Sequence, residues 1–290
     1  MDFTGRVALV TGAGKGIGRG YAEWLGAHGA KVVVNNRSHP GVPSSAQEVA
    51  DVINAAGGTA IIDEHAVGDE ADGRAMVQTA LDAWGRLDIL ICNAAISPPR
   101  KPLEQRTVAE FEEVMRINFY GTLHPLMAAL PGMIERDYGR IVLTTSASGL
   151  YGQADTTPYA AAKTALVGLM KAMAVENRGR NIKVNTVSPY ARTNMAKAID
   201  PKFSELMAPH KLAPMVGWMC SEACTESGAI YAVGSGRVRR VSLVEGPRLS
   251  IEGDDVTALI PGLADLSKVY APTSSNNSAL SLTPELVAKK

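Results

Sequence analysis

The feature that most constrains the fold of this chain is a glycine-rich loop between a short apolar strand and a helix. Residues 6–10 read Arg-Val-Ala-Leu-Val, typical of a buried strand, and residues 11–18 read Thr-Gly-Ala-Gly-Lys-Gly-Ile-Gly. A helical pattern follows to about residue 28, and a second apolar strand is predicted at 31–35. Although the strict G-x-G-x-x-G spacing is absent, Gly12, Gly16 and Gly18 supply a tight turn and bare backbone at a helix N-terminus, which suits a pyrophosphate. A glycine-rich turn without a ligand is the alternative, and the strand–loop–helix–strand order disfavours it.

The rest of the chain repeats this alternation of strands and helices. The pattern predicts strands at 6–10, 31–35, 59–63, 87–92, 139–144, 181–187 and 229–233, and helices near 17–28, 44–56, 70–84, 107–135, 158–177 and 212–223. Such alternation predicts the α/β class: a single-domain, Rossmann-like, doubly wound parallel sheet of about seven strands with helices on both faces. We place this domain, with its substrate site, at 1–250. The polar, turn-forming run at 271–278 predicts a partly mobile C-terminal extension over 251–290.

The balance of charges argues against polyanionic partners. Lysine plus arginine equals aspartate plus glutamate at 29 each, so no basic field is present to attract nucleic acid or an anionic membrane. No apolar run approaches the roughly 18 residues that suggest a membrane span, and the N-terminus lacks a signal-peptide pattern. We therefore expect a soluble, cytoplasmic protein. Cys92, Cys220 and Cys224 are spaced for neither a metal site nor a disulfide framework, so buried thiols and no metal are predicted.

A second motif lies between the strand predicted at 139–144 and the following helix. Tyr159 and Lys163 are four residues apart, which places both on one face of a helix. A nearby ammonium favours the phenolate, so Lys163 is expected to lower the pKa of Tyr159 from its usual value of about 10 and make it a proton acceptor or donor. Ser146, at the end of the preceding strand, is expected to hold the same substrate oxygen. Alone, the Tyr-x-x-x-Lys spacing favours an ordinary helix start. The glycine-rich loop at residues 11–18 is the observation that favours a catalytic interpretation of this pair.

These motifs together resemble the short-chain dehydrogenase/reductase family over residues 5–243. The matching motifs are the loop at 11–18, Asn-Ala-Ala at 93–95, Asn118, Ser146, Tyr159 with Lys163, and Ser188-Pro189 with Thr193. The resemblance implies a catalytic tetrad of Asn118, Ser146, Tyr159 and Lys163, in which Asn118 distorts its helix and holds a water that links Lys163 to solvent. It also implies a dimer or tetramer of identical chains acting on a small-molecule substrate.

The end of the second strand carries the choice of cofactor. Asn36 stands where NAD-dependent relatives have an aspartate, and Arg37 and Lys15 place positive charge where the 2′-phosphate of NADP would lie. We therefore favour NADP over NAD; binding of NAD through Asn36 is the alternative. His65 replaces an aspartate that many members place near the adenine. The predicted cofactor-binding residues are Gly12, Lys15, Gly16, Ile17, Gly18, Asn36, Arg37, Val67, Asn93, Ala94, Ala95, Tyr159, Lys163, Pro189 and Thr193.

The second half of the chain is most similar to the 3-hydroxyacyl-CoA dehydrogenase domain of multifunctional β-oxidation enzymes. The likeness rests on residues 138–152, 212–228 and 233–236, and Asn36 departs from it. It implies an NAD(P)-dependent oxidoreductase that interconverts a secondary alcohol and a ketone by hydride transfer, with a 3-hydroxyacyl or 3-ketoacyl thioester as substrate. The alternatives are a reductase of bulky ketones or hydroxysteroids and a dinucleotide-binding scaffold or sensor without turnover. Four residues are predicted to line the substrate pocket: Ile96, Ser148, Gln153 and Tyr190.

Overall fold

The described part of the chain builds one eight-stranded sheet in the order β3-β2-β1-β4-β5-β6-β7-β8. The computed structural model describes residues 1–192, 205–251, 259, 262, 266–267 and 269–272. The strands are β1 Val7–Val10, β2 Lys31–Asn35, β3 Thr59–Asp63, β4 Ile89–Cys92, β5 Gly139–Thr144, β6 Ile182–Tyr190, β7 Ile230–Gly234 and β8 Arg237–Val241. The predicted α/β class with a doubly wound parallel sheet is confirmed, with one strand more than expected.

The position of β1 in the middle of the sheet fixes where a ligand can bind. β1 pairs in parallel with β2 on one side, Val10 opposite Val34, and with β4 on the other, Val10 opposite Ile91. The strand order therefore reverses between β1 and β4, and the loops that leave these two strands diverge at their carboxyl ends. Open α/β sheets bind ligands in the crevice formed at such a point.

Helices cover the parallel sheet between successive strands. They are α1 Gly16–Ala27, α2 Ser45–Ala55, α3 Glu70–Trp84, α4 Val108–Met115, α5 Gly121–Glu135, α6 Ala147–Tyr151, α7 Thr157–Glu176 and α8 Ala213–Cys220. Apolar residues of the central strands, such as Leu9, Val33 and Leu90, are completely buried, as expected for a sheet covered on both faces. None of the described helices is long and apolar enough to cross a membrane.

The helix predicted at 107–135 is not continuous. A capping box of Thr107 and Glu110 starts α4, but the five residues Arg116–Tyr120 form a π-helical turn before α5 begins. A π turn inserts one extra residue into a helix and is common at functional sites. The interruption lies at Asn118, whose side chain bonds outside the helix. The local distortion expected from the family resemblance is therefore present.

The short helix α6 and the strand β8 were not predicted from the sequence. α6 has only five residues, fewer than an apolar repeat needs to be recognised, and Ser146 caps it. β8 follows β7 after the two-residue turn Ser235–Gly236, both with positive φ (52° and 68°), and such a turn reverses the chain. The turn signal was visible in the sequence, but the arginine-rich strand after it carries almost no apolar pattern.

Charged groups are also buried at the amino ends of the strands, opposite the predicted site. Asp88 is fully buried and accepts hydrogen bonds from the Val7 amide at 3.0 Å and from Arg86. Arg140 is 2% exposed, donates to main-chain carbonyls of Gly139, Asn181 and Ser221, and lies over the Tyr138 ring. Both charges have several partners, as buried charges require.

The described residues divide into two compact units, Met1–Arg240 and Val241–Lys290. This division lies about ten residues before the predicted domain boundary at 250, and that boundary and the mobility of the extension remain predictions. The three cysteines are free and buried, as the sequence predicts. Burial raises the pKa of the Cys92 thiol to about 12 and also raises the pKa values of Cys220 and Cys224.

Candidate active site

The glycine loop packs directly against the end of β4. Gly12 and Gly16 adopt positive φ angles of 63° and 59°, in the region that favours glycine. A Cβ at Gly12 would lie 2.8 Å from the Ala94 Cα, and one at Gly18 would collide with the Gly12 carbonyl oxygen. The Thr11 hydroxyl accepts hydrogen bonds from the amides of Asn93 and Ala94 at 3.0 and 3.1 Å. The loop is therefore held against β4 by backbone contacts that larger residues would not permit.

A cavity of about 290 Å³ opens above this contact at the carboxyl ends of the strands. Its wall includes most of the predicted cofactor-binding residues: Gly12, Lys15, Gly16, Ile17, Asn36, Arg37, Val67, Asn93, Ala94 and Ala95. Ile96, predicted for the substrate pocket, also lines it. Bare backbone at a helix N-terminus beside this cavity fits the pyrophosphate of a dinucleotide, because main-chain amides and the positive end of the helix dipole attract negative charge.

Some predicted cofactor-binding residues lie elsewhere. Gly18 is buried beneath the loop, while Tyr159 and Lys163 belong to α7 and Pro189 to the end of β6; none of the four lines the cavity wall. Thr193 lies outside the described residues. Their cofactor contacts remain predictions.

The cavity wall also contains residues that were not assigned from the sequence: Asn35, His65 and Ile117. Asn35 is buried and donates to Asp63 Oδ1 at 2.6 Å, and Asp63 in turn bonds His65 Nδ1 at 2.8 Å. Asn35 follows three consecutive valines of β2, and a polar residue after that apolar run was the signal that could have identified it. Ile117 gave no such signal, because an apolar residue in a helix is most often core.

A second cavity, of about 250 Å³, adjoins the first beyond Arg37. It shares Gly12, Lys15, Asn36 and Arg37 with the first cavity and is completed by Ser38, His39, Val42, Pro43, Ser44 and Ser45. Ser44 caps the amino end of α2, which carries the positive end of the helix dipole. The Asn36 Nδ2 donates to the Ser45 hydroxyl at 2.8 Å. The lining of this cavity contains the basic residues Lys15 and Arg37, one histidine and three serine hydroxyls, and it contains no carboxylate. These groups suit the binding of an anion.

Ser146, Tyr159 and Lys163 are brought together at the same edge of the sheet. Ser146 lies two residues after the end of β5 and accepts a hydrogen bond from the Ser148 amide at 3.2 Å. Tyr159 lies in the first turn of α7, and Lys163 lies one turn later with its Nζ 5.7 Å from the centre of the Tyr159 ring. Lys163 is 2% exposed and donates to the Thr144 carbonyl at 2.7 Å.

The electrostatics of this group differ from the expectation. Burial raises the pKa of Tyr159, and a hydrogen bond with Ser146 only partly opposes that rise. Burial also lowers the pKa of Lys163 to about 8, because no carboxylate offsets the loss of hydration of the ammonium. The prediction that Lys163 lowers the pKa of Tyr159 is wrong for this structure, since Nζ is bound to Thr144 and desolvation of the phenol dominates.

Asn118 is completely buried within the π turn, and both polar atoms of its side chain are used. Its Oδ1 accepts from the Ile96 amide at 2.8 Å, and its Nδ2 donates to the Ile96 carbonyl at 2.9 Å. The side chain therefore anchors the loop after β4. Its role in holding a water that links Lys163 to solvent remains a prediction.

The predicted substrate-pocket residues do not form one contact group. Ser148 is buried and donates to the Gln153 Oε1 at 2.7 Å, so these two residues act together. Ile96 faces the larger cavity, while Tyr190 ends β6 and is 40% exposed. Their assignment to a substrate pocket stays a prediction.

Comparisons with known proteins agree with this geometry. The family model described as short chain dehydrogenase matches residues 6–203. A short-chain type dehydrogenase/reductase of Mycobacterium tuberculosis is 37% identical to 90% of this chain, and the match covers 95% of that protein.

Longer proteins are also similar. Peroxisomal multifunctional enzyme A of Dictyostelium discoideum is 39% identical over 84% of this chain, but the match covers 56% of that protein. The structure of full-length peroxisomal multifunctional enzyme type 2 from Drosophila melanogaster superposes with a TM-score of 0.83 at 28% identity, covering 100% of this chain and 51% of that one. This chain thus spans about half the length of these multifunctional relatives.

Proposed function

Because this chain belongs to the short-chain dehydrogenase family, whose members use NAD or NADP, we propose that it interconverts a secondary alcohol and a ketone with Tyr159 as the proton-exchanging group. One observation carries the proposal: Ser146, Tyr159 and Lys163 share the sheet edge with the cavity that fits a dinucleotide. A protein that only bound a dinucleotide would have no use for a buried lysine beside a half-buried tyrosine.

When bound, the nicotinamide cofactor supplies or accepts the hydride. Gly12, Gly16 and the amino end of α1 would hold its pyrophosphate, and Ala94 and Ala95 leave room for it along the end of β4. The Ser146 hydroxyl donates a hydrogen bond to the substrate oxygen and so orients the carbonyl.

The Tyr159 hydroxyl donates its proton to that oxygen in reduction and takes it back in oxidation. Its raised pKa keeps the phenol protonated at neutral pH, which favours its role as an acid. The Lys163 ammonium, with a pKa of about 8, is able to exchange a proton near neutral pH and restore the tyrosine.

Replacing Tyr159 by phenylalanine tests the mechanism. The ring and its packing are preserved while the proton is lost, so turnover should fall by roughly 10³-fold and cofactor affinity should stay within about twofold. Full activity of Tyr159→Phe would overturn the assignment. Dinucleotide binding by the unmodified chain without turnover on any alcohol or ketone would favour the scaffold or sensor alternative.

For the cofactor, we propose NADP rather than NAD. The second cavity supports this choice, because Lys15, Arg37 and the Ser45 hydroxyl meet where the end of β2 would receive the adenosine ribose, and its lining contains no carboxylate. NAD held by the Asn36 amide is the alternative.

Fluorescence titration with NADPH and NADH separates the two cofactors. We expect NADPH to bind at least tenfold more tightly, since charged hydrogen bonds contribute about 1.5–3 kcal/mol. Asn36→Asp should reverse the preference by repelling the phosphate, whereas Arg74→Ala, at an exposed ion pair on α3, should leave it unchanged. Equal affinities in the unmodified chain would refute the proposal.

For the substrate, we propose a 3-ketoacyl or 3-hydroxyacyl thioester, on the strength of the likeness to the multifunctional enzymes. A bulky ketone or hydroxysteroid is the alternative. Turnover of an acetoacetyl thioester compared with a steroid ketone, at equal cofactor saturation, decides between them.

The assembly and location of the protein are further parts of the proposal. We expect a cytoplasmic homodimer or homotetramer that acts without nucleic acid or membrane. Light scattering of the purified protein would measure the number of chains, and a monomer at micromolar concentration would refute that part. Fluorescence microscopy of a tagged chain would locate it in cells.

A further inference from the structure

Arg106 is buried in the loop between β4 and α4, and its guanidinium donates hydrogen bonds to main-chain carbonyls. Its side chain is 1% exposed. Its Nε donates to the Lys101 carbonyl at 3.2 Å, and its Nη2 donates to the carbonyls of Pro99 and Asp155 at 2.7 and 2.9 Å. The Glu110 carboxylate lies 3.7 Å from Nη1, so the charge has a counterion. Burying a guanidinium is costly, and this one binds two separate loops.

The first of these loops begins the helix that carries Tyr159. Residues 152–156 connect α6, capped by Ser146, to α7. Asp155 has a φ of 65°, which is unfavourable for a residue other than glycine, and its carbonyl also accepts from the Lys101 amide at 3.0 Å. Two donors on one carbonyl therefore hold the strained residue in place. Thr156 follows it and accepts from the Ala160 amide in the first turn of α7.

The second loop forms part of the dinucleotide cavity. It starts at Asn93, Ala94 and Ala95, passes Ile96, and reaches Arg106 ten residues later. Asn118 fixes Ile96 by two hydrogen bonds, so one end of the loop is anchored to the cavity wall. Arg106 anchors the other end to Asp155. The two loops thus form one connected frame between the cavity and α7.

We propose that Arg106 is a positioning residue that sets the location of Tyr159 relative to the cofactor cavity. The proposal rests on the proposed function. Arg106 touches neither the cavity wall nor the tyrosine and acts through the Asp155 carbonyl. An arginine suits this position because its planar fork satisfies three carbonyls at once, whereas a lysine ammonium on a flexible stem cannot reproduce that arrangement. Displacement of a reacting group by about 1 Å is enough to lower a rate by roughly 10²-fold.

The experiment compares Arg106→Gln and Arg106→Lys with Arg136→Gln as the matched control. Arg136 is also a partly buried arginine that donates to a main-chain carbonyl, that of Leu87, but it lies at the amino end of the sheet. The measurements are kcat and KM for a ketone, the dissociation constant of NADPH, and the kinetic isotope effect with NADPH deuterated at the transferred hydrogen. Hydrogen exchange at the Ala160 amide reports on the start of α7.

In Arg106→Gln we expect kcat to fall at least tenfold and the isotope effect to rise, because a displaced tyrosine makes the chemical step slower. The NADPH dissociation constant should change less than threefold. Arg106→Lys should recover part of kcat, and Arg136→Gln should show an unchanged isotope effect even if it melts earlier. A merely structural role would reduce the amount of active protein without altering the isotope effect.

An unchanged kcat and isotope effect in Arg106→Gln would overturn the positioning role, as would an identical response of Arg136→Gln. Failure of the unmodified chain to turn over any alcohol or ketone would instead overturn the proposed function. In that case hydrogen exchange alone tests whether Arg106 holds the two loops together. Faster exchange at the Ala160 amide in Arg106→Gln would support this connection, and unchanged exchange would refute it.

Discussion

The two sides of the site are built from different materials. On the cofactor side, Gly12 and Gly18 approach neighbouring backbone so closely that a single methyl group does not fit. On the catalytic side, Lys163 is buried on α7 and Tyr159 is half-buried beside it. The first side depends on the absence of side chains, and the second on the burial of their polar ends.

This difference determines whether each side of the site responds to pH or to changes in side-chain volume. Backbone geometry is nearly insensitive to pH, so the cofactor side should respond chiefly to changes of volume. The catalytic side holds Lys163 with Thr144 as acceptor, whereas the structural charges Asp88 and Arg140 have several partners each. A buried ammonium without a carboxylate is costly, and the proton exchange proposed for Lys163 would account for it.

Among the variants that test this contrast, Lys163→Met is expected to have the largest effect. Turnover should fall by about 10²–10³-fold because the proton can no longer be restored to Tyr159. The melting temperature should rise, since a desolvated charge is removed. Lys171→Met, two turns further along α7, is the control and should change neither quantity appreciably. If Lys163→Met were less stable than the unmodified chain, the claim that the buried ammonium of Lys163 destabilises the fold would be wrong.

The same lysine should make stability depend on pH. Its pKa is about 8 in the folded chain against 10.5 for an unperturbed lysine. Below pH 8 both states are protonated and the cost of burial is complete; between pH 8 and 10.5 the unfolded state binds more protons, so folding becomes more favourable as pH rises. The stability advantage of Lys163→Met should therefore shrink by on the order of 3 kcal/mol across that window. Urea titrations of both chains at several pH values measure it, and parallel pH profiles would contradict the buried charge.

On the cofactor side, Gly12→Ala should lower the free energy of unfolding by about 1–3 kcal/mol and weaken NADPH binding more than tenfold. Both positive φ and contact with Ala94 oppose the methyl group. Gly57→Ala is the matched control, because Gly57 has a φ of 87° but open space around it. It should show the cost of strain without a change in NADPH affinity; a similar loss of affinity there would refute the close-approach argument.

The smallest effect concerns the loop before α7, where Asp155 uses the left-handed region without being glycine. Asp155→Val should cost about 1–2 kcal/mol, because a β-branched residue resists this conformation. Asp155→Gly should stay within about 0.5 kcal/mol, since lower strain offsets greater freedom of the unfolded chain. Thermal melts of the two variants give the comparison. Equal stabilities would show that Asp155 is not strained in solution.

Much of the fold was predictable, because it follows from local patterns. Apolar runs identified the parallel strands, and the spacing of Gly12, Gly16 and Gly18 identified the loop, since only glycine meets its backbone demands. A local distortion of the helix at Asn118 was expected from the family resemblance, but its π-helical form and the bonding of Asn118 to Ile96 were not. Long-range contacts of this kind leave no trace in local sequence.

The electrostatics of the site were the least predictable part. Four residues separate Tyr159 and Lys163, and spacing alone suggested a direct effect of the ammonium on the phenol. The sign of the change in the tyrosine pKa depends instead on burial by elements far away in the chain. Arg106 was missed for the same reason, because an arginine in a loop is usually a solvated surface residue.

The three buried cysteines allow unfolding of this protein to be followed by thiol labelling. Cys92 has a thiol pKa of about 12, and Cys220 and Cys224 are likewise enclosed, so almost no thiolate meets solvent in the folded state. A chromogenic disulfide reagent should therefore modify the chain only when it opens. When opening and closing are fast compared with modification, the labelling rate measures the population of open molecules. Stabilisation by NADPH or by any candidate substrate would then appear as slower labelling, without the need for turnover.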